Sequence, residues 1–273
     1  MGGVIMAPRV DLDAYFARIG YVGPRTPTLA TLRALQALHP AAIPFENIDV
    51  LLGRGIDLAP AAVDAKLIGA RRGGYCFEQN GLFKRVLTTL GFEVDSLIAR
   101  SRWGRALEDI WPRTHMALRV RLDGVDWLAD VGLGVCMLTA PLRMGWQGAQ
   151  PTLFEPFRLT PVGEELRVEV EIAGEWRPIL DLVLSAQTDA DFIAPNWFTS
   201  THPDSVFRQR LVLSRTTPQV RCALTGNRLI VRRPGAATQQ SILDPDGLEC
   251  ALRDLFDLPV EPAWRRAMES AAG

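Results

Sequence analysis

The sequence of 273 residues predicts an α+β fold built from three successive parts. Apolar residues recur at helical spacing as far as residue 92, and apolar–polar alternation, typical of half-buried strands, follows. From residue 196 onwards, further strand patterns precede a helical tail. We therefore expect a helical bundle over 1–92, an antiparallel sheet or small barrel over 93–195, and a mixed α/β part over 196–273.

Composition and charge limit the class of protein. The chain is 48% hydrophobic with a net charge of −1, so it can bury a core and has no general attraction to nucleic acid or membranes. Cys76, Cys136, Cys222 and Cys250 form no CxxC pair, which argues against a disulfide framework and a metal site. The opening MGGVIMAPRV lacks a signal-peptide pattern and, with Met6, a myristoylation motif, and no apolar run spans a bilayer. We expect a cytoplasmic protein.

Cap residues mark the predicted helices of the N-terminal part. Asp11 is placed to cap a short helix that Gly20 ends. Thr28 caps a second helix that carries a leucine at every third position, and we expect Pro40 to end it. Pro60 stands where the first turn of a third helix would begin.

The segment RRGGYCFEQNGLFKRVLTTLGF predicts a fourth helix with Cys76 in its first turn. Apolar residues at helical spacing follow the cysteine, and Gly91 stands where the helix would stop. The helix dipole and the free backbone N–H groups stabilise a thiolate there and can hold an oxyanion. The two glycines before Tyr75 would let the backbone approach a ligand closely. Cys76 is therefore a candidate nucleophile, the alternative being a buried structural cysteine.

A predicted hairpin brings a histidine and a carboxylate together. Alternating residues precede Asp123-Gly124, a two-residue turn signal, and VDWLADV returns as the partner strand. With residues 122 and 125 facing each other, His115 faces position 132, and Asp130 lies at an even offset on the same face of the sheet. Asp130 interrupts an apolar run and needs a partner. An Asp130–His115 pair would leave the other ring nitrogen free to take a thiol proton.

The rest of the chain predicts strands, a linker and a helical tail. LRVEVEI and EWRPILDLVL extend the predicted sheet. Residues 195–207, PNWFTSTHPDSVF, are typical of a polar and aromatic linker. RQRLVLSR and NRLIVRRP predict two strands around Gly226-Asn227, and the tail from Asp246 to Glu269 predicts a helix. The motifs GxSxG, GxxxxGK[ST] and HExxH are absent.

Several motifs resemble those of the arylamine N-acetyltransferase family. In chain order they are IPFEN at 43–47, RGGYCFEQN at 72–80, PRTH at 112–115, DVG at 130–132 and NWFTSTHPDSVF at 196–207. The resemblance implies a cysteine-protease-like core of Cys76, His115 and Asp130, a central β-barrel and a C-terminal α/β lid. It implies acetyl-coenzyme A as donor, an arylamine or arylhydrazine as acceptor, and no permanently bound cofactor. A homo-oligomer is a further expected assembly.

The resemblance also assigns residues to two substrates. Phe45, Phe77 and Leu133 would line the acceptor pocket, and Leu133 departs from the phenylalanine that the family usually has there, which removes a stacking surface. The residues that resemble coenzyme A contacts are Pro112, Thr114, Phe198, Thr199, Ser200 and His202. Independently of the resemblance, Arg72 and Glu46 are expected to pair and fix the loop before Cys76.

Three other functions share parts of this pattern. An amide synthase of the same fold would keep the three residues and release a polyketide thioester as a macrolactam. A thiol hydrolase or transglutaminase-type enzyme would use them on an amide, and a binding protein would carry them inert. The physiological acceptor, the acyl chain and the oligomeric state stay open at this point.

Overall fold

The structure is a computed structural model that describes residues 10–273, so the expectations stated for residues 1–9 lie outside it. Its α-helices are α1 (Leu12–Ile19), α2 (Leu29–Ala42), α3 (Ile48–Leu51), α4 (Pro60–Asp64), α5 (Cys76–Thr89), α6 (Ile193–Thr201), α7 (Val206–Gln209), α8 (Pro245–Asp254) and α9 (Arg265–Ala272). Its strands are β1 (Phe45–Glu46), β2 (Glu93–Ser101), β3 (Arg113–Leu122), β4 (Val125–Ala129), β5 (Leu142–Arg143), β6 (Phe157–Val162), β7 (Glu165–Ile172), β8 (Glu175–Val183), β9 (Val212–Thr216), β10 (Arg221–Thr225), β11 (Arg228–Arg232) and β12 (Gln239–Ile242).

The predicted helix caps of the N-terminal part are confirmed. The Asp11 carboxylate accepts two backbone N–H groups of the first turn of α1 at 3.0 Å, and Gly20 ends that helix in the left-handed conformation. The Thr28 hydroxyl accepts a backbone N–H at the start of α2 at 3.2 Å. Pro60 opens α4, and the chain then widens into a π-helical turn over Ala65–Gly69.

Pro40 does not end α2, contrary to the prediction. The helix continues to Ala42, and the backbone N–H of Ile43 closes its last turn by donating to the carbonyl of His39 at 2.7 Å. A proline this close to the end of a helix removes one hydrogen bond but leaves few later turns to disturb. The helix therefore accommodates Pro40 in its last turn and ends shortly before β1.

The segment predicted as a linker, 195–207, is mostly helical and forms α6 and α7. Pro195 lies in the first turn of α6, where a backbone N–H would have no helical partner anyway. The hydroxyl of Ser200 donates to the carbonyl of Asn196 at 2.7 Å, so this polar side chain is satisfied inside the helix. Hydroxyl-rich composition indicated a loop here, but local back-bonding makes a helix compatible with it.

The predicted helical tail is broken into α8 and α9. The chain leaves α8 after Asp254 and forms a short 3₁₀ turn at Pro262–Trp264 before α9 begins. Pro259 and Pro262 lack the N–H groups that a continuous helix would need, and each restricts the residue before it. The strand β10 was likewise absent from the prediction, although the turn at Gly226-Asn227 was placed correctly between β10 and β11.

Seven antiparallel strands form a nearly closed barrel in the order β5-β4-β3-β2-β8-β7-β6, which confirms the predicted α+β class and its barrel. The β3–β4 hairpin has the predicted two-residue turn, with Leu122 facing Val125. Asp123 and Gly124 both have positive φ, 51° and 73°, as a type I′ turn requires. The ladder ends at the pair of residues 118 and 129, so the chain leaves the sheet immediately before Asp130.

A second sheet, in the order β1-β9-β10-β11-β12, joins distant parts of the chain. Strand β1 pairs with β9, which places Phe45 opposite Ser214. Asn47, directly after β1, donates to the carbonyls of Phe207 and Arg210 at 2.8 Å each. The predicted boundaries at 92/93 and 195/196 stay predictions, but a strand from the first segment completes a sheet of the third.

Three apolar clusters form the core, and the N-terminus of α5 lies in the first of them. That cluster joins α1, α2 and α5 to the face of β3 and β4 that carries Met116 and Ala129. The second fills the barrel, and the third lies between the second sheet and the C-terminal helices. Within residues 10–273, none of the helices combines the length and the apolar character that crossing a lipid bilayer needs.

Candidate active site

Cys76 is the first residue of α5 and is nearly buried, with 3% of its surface exposed. Its sulfur contacts the carbonyl oxygen of Thr114 on β3 at 3.6 Å. The first turn of the helix is stabilised because the carboxylate of Glu78 accepts the backbone N–H of Tyr75 at 3.0 Å. The thiol therefore lies at the positive end of a helix, against the strand that carries His115.

Glycines let the backbone pack closely around Cys76. A Cβ on Gly132 would lie 2.6 Å from the Cα of Cys76. A Cβ on Gly73 would overlap the carbonyl oxygen of Pro44, and one on Gly74 would lie 2.6 Å from the carboxylate of Glu78. Packing against Pro44 and Glu78 therefore explains why both positions are glycine, and the approach of a ligand to this backbone stays a prediction.

His115 and Asp130 are buried side by side. The ring Nε2 of His115 lies 2.6 Å from a carboxylate oxygen of Asp130, and the two residues are 7% and 1% exposed. Burial alone lowers the pKa of His115, but the charge of Asp130 and hydrogen bonds to Asp130 and Cys76 outweigh it and raise the pKa to about 10. The ring is thus held as an imidazolium at neutral pH, between a carboxylate and a sulfur.

Asn80 is a site residue that the sequence interpretation left out. Its amide donates to a carboxylate oxygen of Asp130 at 2.8 Å and to the carbonyl of Met116 at 2.7 Å, and its oxygen accepts the N–H of Val131 at 3.0 Å. It lies one turn after Cys76 on α5. An amide four residues after the nucleophile, on the same face of the predicted helix, was a signal available in the sequence.

Arg72 and Glu46 do pair, and Asp49 joins them. An Arg72 guanidinium nitrogen lies 2.7 Å from Glu46 and 3.1 Å from Asp49, all three being buried. Burial lowers the pKa of Arg72, and the two carboxylates outweigh that effect and raise it. Lys66 extends the cluster, bridging Asp49 at 2.9 Å and Glu78 at 2.7 Å. The cluster thus connects the loop before Cys76 to the carboxylate that caps α5.

The three residues assigned to the acceptor pocket divide between two apolar clusters. Phe45 and Phe77 are buried in the cluster that contains Cys76. Leu133 is 5% exposed and packs into the barrel core instead. Gly134 then passes over Phe45, since a Cβ there would lie 3.1 Å from the ring. The loop after Asp130 therefore touches the barrel core on one side and Phe45 on the other.

The two segments assigned to coenzyme A lie next to each other. Trp111 lies directly before Pro112, and its ring packs edge-on against that of Phe198, with 6.2 Å between the ring centroids. The ring of Phe198 in turn stacks on that of His202, with 4.6 Å between the centroids. Pro112 is exposed and Thr114 is half-buried. An aromatic row thus connects the residues before β3 to the end of α6, and Trp111 is a member that the sequence interpretation missed.

The hydroxyls of α6 are less free than the sequence indicated. Thr199 and Ser200 are both buried, and the hydroxyl of Ser200 is bound to the carbonyl of Asn196. The hydroxyl oxygen of Thr199 has no hydrogen-bond partner within residues 10–273. Asn196 also binds the hydroxyl of Tyr75, so α6 is anchored directly beside the first turn of α5.

Comparisons with known proteins agree on one family. The N-acetyltransferase family model matches residues 28–265. An arylamine N-acetyltransferase from Mycolicibacterium smegmatis is 42% identical over 83% of this chain and 84% of its own length. The structure of the arylamine N-acetyltransferase from M. tuberculosis superposes with a TM-score of 0.91 at 36% identity, covering 96% of this chain and 100% of that one.

A further solved structure, the Mycobacterium marinum arylamine N-acetyltransferase in complex with CoA, has a TM-score of 0.90 at 36% identity. It covers 96% of this chain and 98% of the M. marinum chain. Sequence identity above 30% over most of both chains, together with the shared fold, leaves no other assignment. The chain belongs to the arylamine N-acetyltransferase family.

Proposed function

We propose that the chain transfers an acetyl group from acetyl-coenzyme A to an arylamine or arylhydrazine through a covalent acetyl-Cys76. The observation that carries this proposal is Cys76 at a helix N-terminus beside His115, whose other ring nitrogen lies 2.6 Å from Asp130. Family membership supplies the donor and the acceptor class. The four free cysteines fit a reducing compartment, and we place the reaction in the cytoplasm.

The resting pair is a thiolate and an imidazolium. Because Asp130 and Cys76 raise the pKa of His115 to about 10, the ring holds its proton at neutral pH. A ring nitrogen that donates to sulfur stabilises the thiolate, which is the nucleophilic form of cysteine. Asp130 keeps the ring oriented, and Asn80 keeps Asp130 oriented through its amide.

In the first half-reaction, the Cys76 thiolate attacks the carbonyl carbon of the acetyl thioester. A new carbon–sulfur bond forms, and the carbon–sulfur bond to coenzyme A then breaks. The first backbone N–H groups of α5 have no intrahelical acceptor, so they are available to the developing oxyanion. The leaving sulfur takes the proton from His115, which leaves acetyl-Cys76 and a neutral ring.

In the second half-reaction, the amine nitrogen attacks acetyl-Cys76. Acetylation has removed the negative charge from sulfur, so one of the two influences that raise the pKa of His115 is gone. The neutral ring can therefore take a proton from the attacking amine. The bond from carbon to the Cys76 sulfur breaks, and the thiolate–imidazolium pair forms again.

We assign the surrounding residues to binding and support. Phe45, Phe77 and Leu133 line the acceptor side, where Leu133 offers less aromatic surface than a phenylalanine would. Pairing of Arg72 with Glu46 supports the loop before Cys76. The coenzyme A side is formed by Pro112, Thr114, Phe198, Thr199, Ser200 and His202.

The test is mass spectrometry of the protein after brief exposure to acetyl-coenzyme A without an acceptor. We expect one acetyl group on the peptide that contains Cys76, and its removal when an arylamine is added. Cys76→Ala should lose the label and all acetyl transfer. Cys250→Ala, which changes an exposed cysteine, should keep both.

Two results would contradict the proposal. The first is acetyl transfer by Cys76→Ala at a rate near that of the wild type. The second is rapid release of free acetate with no transfer to amines, which would favour the thiol hydrolase. Propionyl- and malonyl-coenzyme A in the same experiment compare the acyl chains that the site accepts.

A further inference from the structure

Three buried polar side chains form a hydrogen-bonded series that ends next to the loop before Cys76. The hydroxyl of Tyr15 on α1 lies 2.8 Å from Nδ1 of His39 on α2. The ring Nε2 of His39 lies 2.6 Å from the side-chain oxygen of Gln79 on α5. All three residues are 0% exposed. Buried polar groups of this kind must be fully paired, so the three side chains have little freedom to rearrange.

The direction of every hydrogen bond in this series follows from the contacts of Gln79 at its end. The side-chain nitrogen of Gln79 lies 2.8 Å from the carbonyl of Pro44 and 3.2 Å from that of Gly74. Carbonyls only accept, so this nitrogen donates and the Gln79 oxygen must accept from His39. The proton of His39 is therefore on Nε2, and its Nδ1 accepts from the hydroxyl of Tyr15.

His39 is held neutral in this arrangement. Burial, with a further lowering effect of the charge of Arg18, outweighs the raising effect of the Gln79 hydrogen bond and brings its pKa to about 4. Burial also raises the pKa of Tyr15, which keeps its hydroxyl a donor. The ring is thus one fixed tautomer over the pH range in which the enzyme would work.

The hydrogen-bonded series ends at Gln79, whose side-chain amide contacts the backbone near Cys76. Gln79 lies three residues after Cys76 on α5, and it holds the carbonyl of Gly74, two residues before Cys76. The same carbonyl accepts the backbone N–H of Glu46 at 3.1 Å. The amide of Gln79 therefore joins the start of α5 to Gly74, just before the helix, and to Pro44, just before β1.

We propose that His39 is a positioning residue, which through Gln79 fixes the backbone of Gly74 and so the orientation of the Cys76 thiol. This inference rests on the proposed role of Cys76 as nucleophile. Without the N–H of His39, the buried Gln79 oxygen has no donor, and the amide turns away from the Gly74 and Pro44 carbonyls to find one. The first turn of α5 then loses its anchor.

The test compares three variants of the full chain. His39→Phe keeps a ring but removes the N–H that Gln79 accepts. His39→Gln restores an amide N–H at that distance from the backbone. Tyr15→Phe removes only the hydroxyl at the other end of the hydrogen-bonded series. The measured quantities are the rate of Cys76 alkylation by iodoacetamide, kcat, and KM for acetyl-coenzyme A, all at a temperature where each variant is folded.

We expect His39→Phe to lower both the alkylation rate and kcat about tenfold, the cost of one unsatisfied buried acceptor, with KM unchanged. His39→Gln should recover most of the loss, and Tyr15→Phe should stay close to the wild type in rate. Equal alkylation and kcat in His39→Phe and the wild type, with only a lower Tm, would overturn the proposal.

A second measurement covers the case that His39→Phe does not fold. Nitrogen NMR of the wild-type chain should show His39 protonated on Nε2 alone between pH 5 and 8. A proton on Nδ1, or a charged ring, would overturn the proposal. Neither alkylation nor NMR requires acetyl transfer, so a wild-type chain that fails to acetylate Cys76 refutes the proposed function and leaves this test separate.

Discussion

His39 and His115 are both buried, but their environments leave the first neutral and the second positively charged at neutral pH. Burial disfavours the imidazolium in each ring. The ring nitrogens of His39 meet an uncharged hydroxyl and an uncharged amide, and its pKa falls to about 4. His115 contacts the carboxylate of Asp130 and the sulfur of Cys76, and its pKa rises to about 10. Burial therefore keeps a histidine neutral unless a charged partner outweighs it, as Asp130 does for His115.

The two regions use this difference for different purposes. In the helical part, a neutral ring with one fixed tautomer is a hydrogen-bond bridge between α1, α2 and α5. Next to the barrel, a charged ring between two acidic groups can pass a proton when one of them changes its charge. The same residue type thus supports geometry through His39 and chemistry through His115.

Asp130→Asn tests the comparison most directly, because it gives His115 a neutral partner like that of His39. The pKa of His115 should fall, and the imidazolium that stabilises the Cys76 thiolate should be lost at neutral pH. We expect the rate of Cys76 acetylation to fall by a factor on the order of 10⁴, the size measured for the same change in a serine triad. Rapid-quench mass spectrometry of the acetylated peptide measures this rate.

Asp126→Asn is the matched control for that change. It removes one negative charge from β4, but the Asp126 side chain is 41% exposed and lies beside Arg119 and Arg121, at 3.9 and 3.6 Å. Its acetylation rate should equal that of the wild type. If Asp130→Asn also kept the wild-type rate, the charge of Asp130 would have no part in activating Cys76.

The two rings should also give stability opposite dependences on pH. His39 has a folded pKa near 4 and an unfolded one near 6.5, so the unfolded chain binds more protons in between. Its contribution is complete above pH 6.5 and is lost as the pH falls through 4, by about 3 kcal/mol. His115, with its pKa raised to about 10, contributes fully below pH 6.5 and loses that contribution as the pH rises through 10.

Urea unfolding of the wild type and two variants separates these contributions. The difference in unfolding free energy between wild type and His39→Gln should widen from pH 4 to pH 7 and then stay constant. The difference between wild type and Asp130→Asn should narrow from pH 7 to pH 10. Parallel curves at all pH values would show that neither histidine has the pKa described.

The elements of the site that the sequence predicted depend on short-range rules. The turn at Asp123-Gly124 determines the register of β3 against β4, and parity then carries the prediction from His115 to Asp130. The apolar spacing that follows the two glycines places Cys76 at the start of α5. Both inferences need only residues within about twenty positions of each other, so local patterns contain them.

The parts that sequence reasoning missed depend on contacts between distant residues. His39 meets Gln79 across 40 positions, and β1 meets β9 across more than 160. The pattern around α6 was polar, and only its packing beside Tyr75 and its internal hydrogen bonds explain why it is a helix. The local hairpin pattern indicated the role of His115, but no local pattern indicates that of His39, because its partners Tyr15 and Gln79 lie on other helices.

The partners of the two histidines are also held differently, and Gly124→Ala tests whether that matters. Gln79 is part of a helix, whereas Asp130 follows a hairpin whose turn contains Gly124 at φ 73°. A Cβ there meets no atom within 4 Å, so the substitution costs only backbone strain, about 1 kcal/mol of unfolding free energy.

Gly163→Ala, at φ 59° in the open turn between β6 and β7, should cost about the same. We expect both variants to keep the wild-type acetylation rate, because the ladder from Leu122–Val125 to Leu118–Ala129 and the amide of Asn80 hold Asp130 in place. A slower rate in Gly124→Ala alone would mean that the turn, and not the ladder, maintains the charge on His115. Denaturant unfolding and the acetylation rate, measured on both variants, distinguish the two.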